Sequence, residues 1–352
     1  MLTFTEMIQH PSQWLDASGP FSDIVYSSRI RLARNLKKIP FSHRANDDEL
    51  RTVFLQAKEA AHETQLLKDA LILDLGELDS LDRRVLAERH LISNQMVELY
   101  HNRGLVVTPG ETLSVMINEE DHFRLQAITS GFNLNEAYEK VNQLDDELGS
   151  RLEYAFHDQW GYLTACPTNV GTGMRASVLI HLPGLFITRE IDTLIKKIAK
   201  KGFVVRGLYG EGSDVKGNFF QISNQQTLGI SELETLERLE KYTRELIEQE
   251  KAARDRVFQE AKNEIEDKIW RAYGTLKYAH ILNSDNMMNL CSLVRLGISS
   301  NWIKETDTSR LNELLVFAQP AHLQRLQGQP LNVDERDVIR AKLVRENLDR
   351  EN

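Results

Sequence analysis

"DIVYSSRIRLAR", residues 23–34, sorts its side chains by parity: Ile24, Tyr26, Ile30 and Leu32 share one side, Arg29 and Arg31 the other. Successive side chains leave a β-strand on opposite faces, so this alternation is read as a strand that buries its apolar set and projects both arginines from the opposite face. Downstream, "RGLVVTPGETLSVMIN" (103–118) reads as two strands joined around Pro109 and Gly110, with Leu113, Val115 and Ile117 alternating against polar partners. Helical spacing follows at Ala137, Val141, Leu144 and Leu148, with Asn133 or Asn135 as the cap. "GFVVRGLYG" (202–210) and "GNFFQISN" (217–224) return to strand, separated by the glycine-rich "GEGSDVKG" (210–217), read as a mobile loop.

At Ser231 the pattern changes. Ser231 and Glu234 have capping-box spacing, and highly charged helical sequence continues to Gly274 without a proline. One straight helix of that length would reach about 65 Å at ~1.5 Å per residue, so a break is expected within it. Shorter helices are read around "SDNMMNLCSLVRLG", "SRLNELLVFA" and "NVDERDVIRAKLVREN". The expectation is an α+β fold: a first domain, 1–230, with an antiparallel sheet flanked by helices, and an all-helical C-terminal domain, 231–352. Leu233, Leu236, Leu239, Tyr242 and Leu246 form an apolar stripe expected to serve a homodimer.

Bulk composition excludes several classes. The chain has 352 residues, 41% hydrophobic and 27% charged, which is ordinary globular material. A net charge of -9 with no polybasic stripe argues against a general nucleic-acid binder, while leaving basic protein partners attractive. Two cysteines, Cys166 and Cys291, are too few for a disulfide framework. No apolar run approaches the ~20 residues of a membrane span and no secretory leader pattern opens the sequence, so a cytoplasmic protein is expected.

The Walker loop, the dinucleotide glycine fingerprint and the protein-kinase signatures are absent. Phosphate would have to meet arginines, and Arg29, Arg31, Arg124, Arg175 and Arg206 all fall in or beside strand or turn segments. Each alone reads best as surface charge; together they form a candidate set of permanently charged, bidentate phosphate ligands. In "NEEDHFR" (118–124) an extended chain would place Glu120 and Arg124 on one face, and Glu211 adds a second carboxylate in the glycine-rich loop. Two acids, one fixed and one mobile, suit a clamp on a cationic substrate.

"SSRIRLAR", "NEEDHFR", "CPTNVGTGMRASV" (166–178) and "RGLYGEGSDVKGNFFQISN" (206–224), in that order, resemble the catalytic domain of the phosphagen kinases, the ATP:guanidino phosphotransferases. The resemblance implies ATP with Mg2+ held mainly by its phosphates. The five arginines become phosphate contacts, Glu120 and Glu211 orient the guanidinium, and Cys166 is the substrate-side thiol. Two departures refine it. Only ~25 residues precede the first strand, too few for the stable helical domain that encloses a small guanidino compound in that family, so the pocket is expected to be open there. The helical extension after Ser231 is similar to that of bacterial protein arginine kinases, whose phosphoarginine-sensing motif "RDVIRA" (336–341) resembles, with Arg336 and Arg340 on one helix face around a phosphoryl group and Asp337 at the guanidinium. A family histidine four residues beyond Arg175 is Leu179 here, which bears on adenine packing rather than on phosphate transfer.

The resemblance thus implies a protein arginine kinase acting on exposed arginines of other proteins, and further a role in marking them for a ClpC and ClpP type protease. Two alternatives stand beside it: a small-molecule arginine or guanidino kinase, and a phosphoarginine-binding adaptor with weak catalysis.

Overall fold

The computed structural model describes residues 3–207 and 216–349. Its strands are β1 (Val25–Arg34), β2 (Leu71–Asp74), β3 (Gly104–Val107), β4 (Leu113–Ile117), β5 (Phe123–Ser130), β6 (Phe156–His157), β7 (Gly161–Tyr162), β8 (Met174–His181), β9 (Phe203–Arg206) and β10 (Phe219–Asn224). Among the described residues eight of them form one antiparallel sheet in the order β2-β3-β4-β5-β1-β8-β10-β9, and β6 and β7 pair in a small separate hairpin. β1 lies inside the sheet, paired with β5 on one edge and β8 on the other.

One face of the sheet carries the largest core. Ile30 and Leu32 of β1 meet Val53 and Phe54 of the helix Asp47–Glu63, Val141 and Leu144 of the helix Leu134–Gly149, and Leu236, Leu239 and Leu246 of the helix Glu232–Glu260. The expected parity of β1 holds for Ile24, Ile30 and Leu32 but fails at Tyr26. The pairing with β8 shifts register between Val25 and Ser27, and this irregularity sends Tyr26 to a second core with Trp14 and Phe219.

That second core is shared with the helical tail. Trp14, Leu15, Ile128, Leu179 and Phe219 pack with residues of the helices Lys262–Tyr278, Ser284–Ser299, Thr308–Phe317 and Val333–Leu348. A third core joins Met7 and Ile8 to the helices Ser80–Glu88 and Asn94–Glu98 and to Leu105, Val107 and Met116 of the sheet. Of the segment before β1, Met7 and Ile8 serve the third core, Trp14 and Leu15 the second, and Ile24 the first.

The stripe on the helix Glu232–Glu260 is accounted for within the chain. Leu236, Leu239 and Leu246 are buried in the first core, Tyr242 stacks edge-on against Phe203 with centroids 5.0 Å apart, and only Leu233 is exposed. These residues face the sheet because the helix lies across its back, so the stripe is no free dimer surface. The expected helix break is at Ala261, with φ -137° and ψ 35°. The composition changes at Ser231, whereas the packing passes from the first core to the second near Val257.

Buried ion pairs fasten the tail. Glu250 accepts from the amides of Gly184 at 2.8 Å and Leu185 at 3.0 Å and from Arg254 Nε at 2.7 Å, tying the long helix to the turn after β8. Glu88 accepts from the amides of Ala321 at 2.8 Å and His322 at 2.9 Å, and the next residue, Arg89, is buried against Glu111 and donates to Ser12 Oγ at 3.2 Å. Among the described residues no helix is long and apolar enough to cross a membrane. Removing one partner of a buried pair strands the other, so Glu250→Ala should lower the unfolding free energy by about 3–5 kcal/mol, read from denaturant titration.

Candidate active site

Strand register gathers the arginines. Arg31 stands directly opposite Arg175 on β8, and Ala33, two residues on and on the same face, stands opposite Arg124 on β5. Residues paired across strands share a face, so Arg29, Arg31, Arg124 and Arg175 leave the sheet together. Arg206 on β9 joins them through Gln221 on β10, which is opposite Leu179, itself opposite Ser27. All five arginines line one cleft of about 720 Å3, walled by the segment Ile92–Gln95 on one side and by Cys166, Thr168 and Asn169 on another.

Concentrated positive charge leaves a mark. Burial, then Arg124 and Arg175, pushes the Arg29 guanidinium down to about 10. Arg31 is driven well below the usual arginine range by burial and by Arg29, Arg124 and Arg175. Its Nε is buried without a partner. A buried, unsatisfied donor among like charges is what an incoming polyanion would complete. His90, which the sequence reading did not single out, also lines the cleft, and burial followed by Arg29 and Arg31 pushes its imidazole down to about 3. It is neutral at physiological pH and adds no further charge. No local motif announces it; it follows the helix Ser80–Glu88 with φ +61°.

The acidic segment is arranged differently from the expectation. Residues 118–122 are not extended; they form the turn between β4 and β5, closed by the Asn118 amide donating to His122 O at 2.8 Å. The turn itself brings Glu120 within 3.7 Å of Arg124. Glu119, passed over in the sequence, makes the closer ion pair with Arg124 at 3.1 Å and accepts the Glu120 amide at 2.9 Å. Glu120 is half-exposed, and its carboxyl is raised by burial, then by Asp121, against the lowering effect of Arg124.

Cys166 faces the same cleft, its Sγ 3.0 Å from Thr168 Oγ1. The following Gly-Thr-Gly owes its glycines to close approach. A Cβ on Gly171 would lie 2.2 Å from Thr227 O and one on Gly173 2.6 Å from Ala33 O, and both glycines have positive φ. Glu211 lies outside the described residues. Leu179 lines a small recess beside the cleft with Trp14, His90 and Ile128.

The tail motif is remote from these groups. Arg340 is buried, donating from Nε to Ala318 O at 2.9 Å and from Nη1 to Leu282 O at 3.0 Å, and it is paired with Asp337 of its own helix. Arg336 donates to Leu331 O at 3.1 Å. The two arginines therefore do not share one open face here, because Arg340 is turned inward to satisfy two carbonyls.

The family model described as ATP:guanido phosphotransferase, C-terminal catalytic domain, matches residues 52–253, more than half of the sequence. The chain belongs to this family. A second model, the protein-arginine kinase McsB C-terminal domain, matches residues 262–352. Among similar proteins, the protein-arginine kinase of Desulforamulus reducens is 43% identical over 351 residues, covering 99% of this chain and 98% of that one. That of Bacillus subtilis is 45% identical over 339 residues, covering 96% and 93%. Among solved structures, lombricine kinase is similar with a TM-score of 0.59 and 27% identity over 68% of this chain and 70% of that one. The duplicated taurocyamine kinase of Schistosoma mansoni with bound transition-state-analogue components gives a TM-score of 0.61 and 26% identity over 72% of this chain, which spans 36% of that longer one. The phosphagen-kinase fold and the phosphotransferase activity expected from the motifs are thereby established.

For this family member, Arg31→Gln removes one of the cleft's cations and a source of repulsion. ATP affinity should fall roughly 10- to 100-fold, the worth of a hydrogen bond to a charged group at about 1.5–3 kcal/mol. The melting temperature without nucleotide should stay level or rise. A lowered melting temperature would mean that Arg31 is a structural cation instead.

Proposed function

We propose that this chain transfers the γ-phosphoryl group of ATP to a guanidinium nitrogen of arginine residues in proteins. The observation that carries the reading is similarity to proteins named protein-arginine kinase over nearly the whole chain, tail included. The half-exposed Glu120 at the mouth of an arginine-lined cleft supports it, since the acceptor must arrive on another macromolecule.

The five arginines receive the triphosphate and balance charge on the equatorial oxygens of the transferring group, so catalysis is chiefly positioning and electrostatics. Mg2+ is assigned to the nucleotide phosphates, where it would neutralise oxygen charge. The acceptor guanidinium keeps its proton at neutral pH, with a pKa above ~12. Glu120 aligns one nitrogen with phosphorus and takes its proton as the N–P bond forms and the bond to ADP breaks. Its raised carboxyl makes it a better proton acceptor than an ordinary glutamate. Glu211 is assigned the second carboxylate and Cys166 the thiol on the substrate side.

Arg336, Asp337 and Arg340 are assigned to phosphoarginine sensing, which requires Arg340 to leave its carbonyl partners when ligand arrives. A cytoplasmic location follows from the sequence pattern, and a homodimer and delivery of phosphorylated proteins to a ClpC/ClpP-type protease follow from the resemblance.

Labelled ATP and Mg2+ should place acid-labile label on an unfolded arginine-rich protein and little on free L-arginine. The reverse would make this a small-molecule guanidino kinase, and label on neither would favour the adaptor. Glu120→Gln should cut transfer by about 10²–10⁴, the usual worth of a general base, with ATP binding nearly unchanged. The acid limb of kcat/KM should lie above the ordinary glutamate value of ~4.3, because the rate requires the deprotonated base and burial and Asp121 hold its proton more tightly.

A further inference from the structure

Asp121 follows Glu120 in the β4–β5 turn and is almost wholly buried. Its Oδ1 accepts two hydrogen bonds, from Asn35 Nδ2 at 2.7 Å and from the backbone amide of Ala165 at 2.6 Å. Ala165 is the residue before Cys166. Asp121 is thus bonded to the neighbour of the thiol and covalently joined to the base. Among the described residues this is the one hydrogen bond running directly from the turn 118–122 to the segment 163–169. Asn35 braces the same junction from the end of β1, accepting the His122 amide at 2.9 Å and donating to Leu163 O at 3.0 Å. Asp121 Oδ2 is buried with no partner.

An asparagine would keep an acceptor for the two donors and remove the buried charge, while placing an Nδ2 donor where Oδ2 now has no partner. Glu120 faces Glu119 and Asp121 on its own turn, Arg124 on β5 and Arg175 on β8, and Asp121 is the larger of the two anionic influences on it.

We propose that Asp121 is a positioning residue for phosphoryl transfer: through the Ala165 amide it fixes the Cys166 segment against the Glu120 turn, the two sides of the acceptor guanidinium, and it sets a second carboxylate beside Glu120. The proposal rests on the functional reading above. Placement errors near 1 Å can cost about a hundredfold in rate, so one anchor between the two acceptor-binding segments matters.

Two variants of the full chain test it, with two readouts. The first is the rate of Cys166 alkylation by iodoacetamide without nucleotide or acceptor, a reaction that Cys291 escapes by burial. The second is transfer to an arginine-rich protein. Asp121→Ala frees the Ala165 amide: alkylation should speed up several-fold, kcat/KM for the protein should fall about a hundredfold, and KM for ATP should stay within about twofold. Asp121→Asn keeps the acceptor oxygen: alkylation should return to the wild-type rate, transfer should recover at least about tenfold over alanine, and the acid limb of the pH profile should move down because the neighbouring anion is gone. Wild-type alkylation in the alanine variant, or asparagine no better than alanine in both readouts, overturns the proposal. If the alanine variant does not fold, asparagine alone decides: unchanged alkylation with a lowered acid limb supports it, and an unmoved limb overturns it. Failure of the wild-type chain to phosphorylate protein arginine would sink the functional reading while leaving the thiol result standing.

Discussion

Mutual repulsion among the arginines on one face of the sheet is the constraint around which the rest is arranged. Like charges brought together away from bulk water destabilise one another, and here they are fixed by the register of strands that have no freedom to splay. The opposite face supplies the opposing force: Ile30 and Leu32 are sealed against three helices, so β1 cannot rotate its guanidinium groups away. Glu119 offsets part of the charge at Arg124, and His90 contributes none. The positive charge that remains suits an incoming polyanion, in keeping with the proposed binding of a nucleotide at this face.

The helical tail takes part in the same design. Ile128 and Leu179 leave the sheet on the arginine side, and tail residues share the core that covers them. Glu88, Arg89 and His90 are consecutive: the first holds the start of the helix Pro320–Gln327, the second is buried against Glu111, and the third lines the cleft. The tail is joined to the arginine face by three adjacent residues.

Much of this was legible in the sequence, for identifiable reasons. Period-two patterning revealed β1, and the order of four motifs revealed the family, because both depend on local spacing. Tyr26 escaped because a bulge resets parity without any residue type to announce it. Glu119 escaped because a turn, unlike a strand, has no parity rule to say which of two adjacent acids points at Arg124. The stripe from Leu233 to Leu246 was read as a dimer face, whereas Leu236, Leu239 and Leu246 pack within the chain and Leu233 is exposed, because amphipathicity does not say whether the partner is another chain or the same one. Arg340 illustrates the same limit: helical spacing placed it beside Arg336, and only tertiary packing turned it toward Ala318 O and Leu282 O.

The position of β1 also governs how the chain can assemble. It is the earliest strand, yet its two neighbours are β5 and β8, so both of its edges wait for partners from far along the sequence. Pairings of high sequence separation pay loop closure before they are rewarded, which delays completion of the sheet. During synthesis β1 has two open edges and an apolar face until β8 has emerged, and the tail that shares a core with Tyr26 and Phe219 arrives later still. A kinase whose active face is built on its first strand thus acquires that face among the last of its structures, and a chain released early would be an aggregation-prone sheet rather than a smaller enzyme.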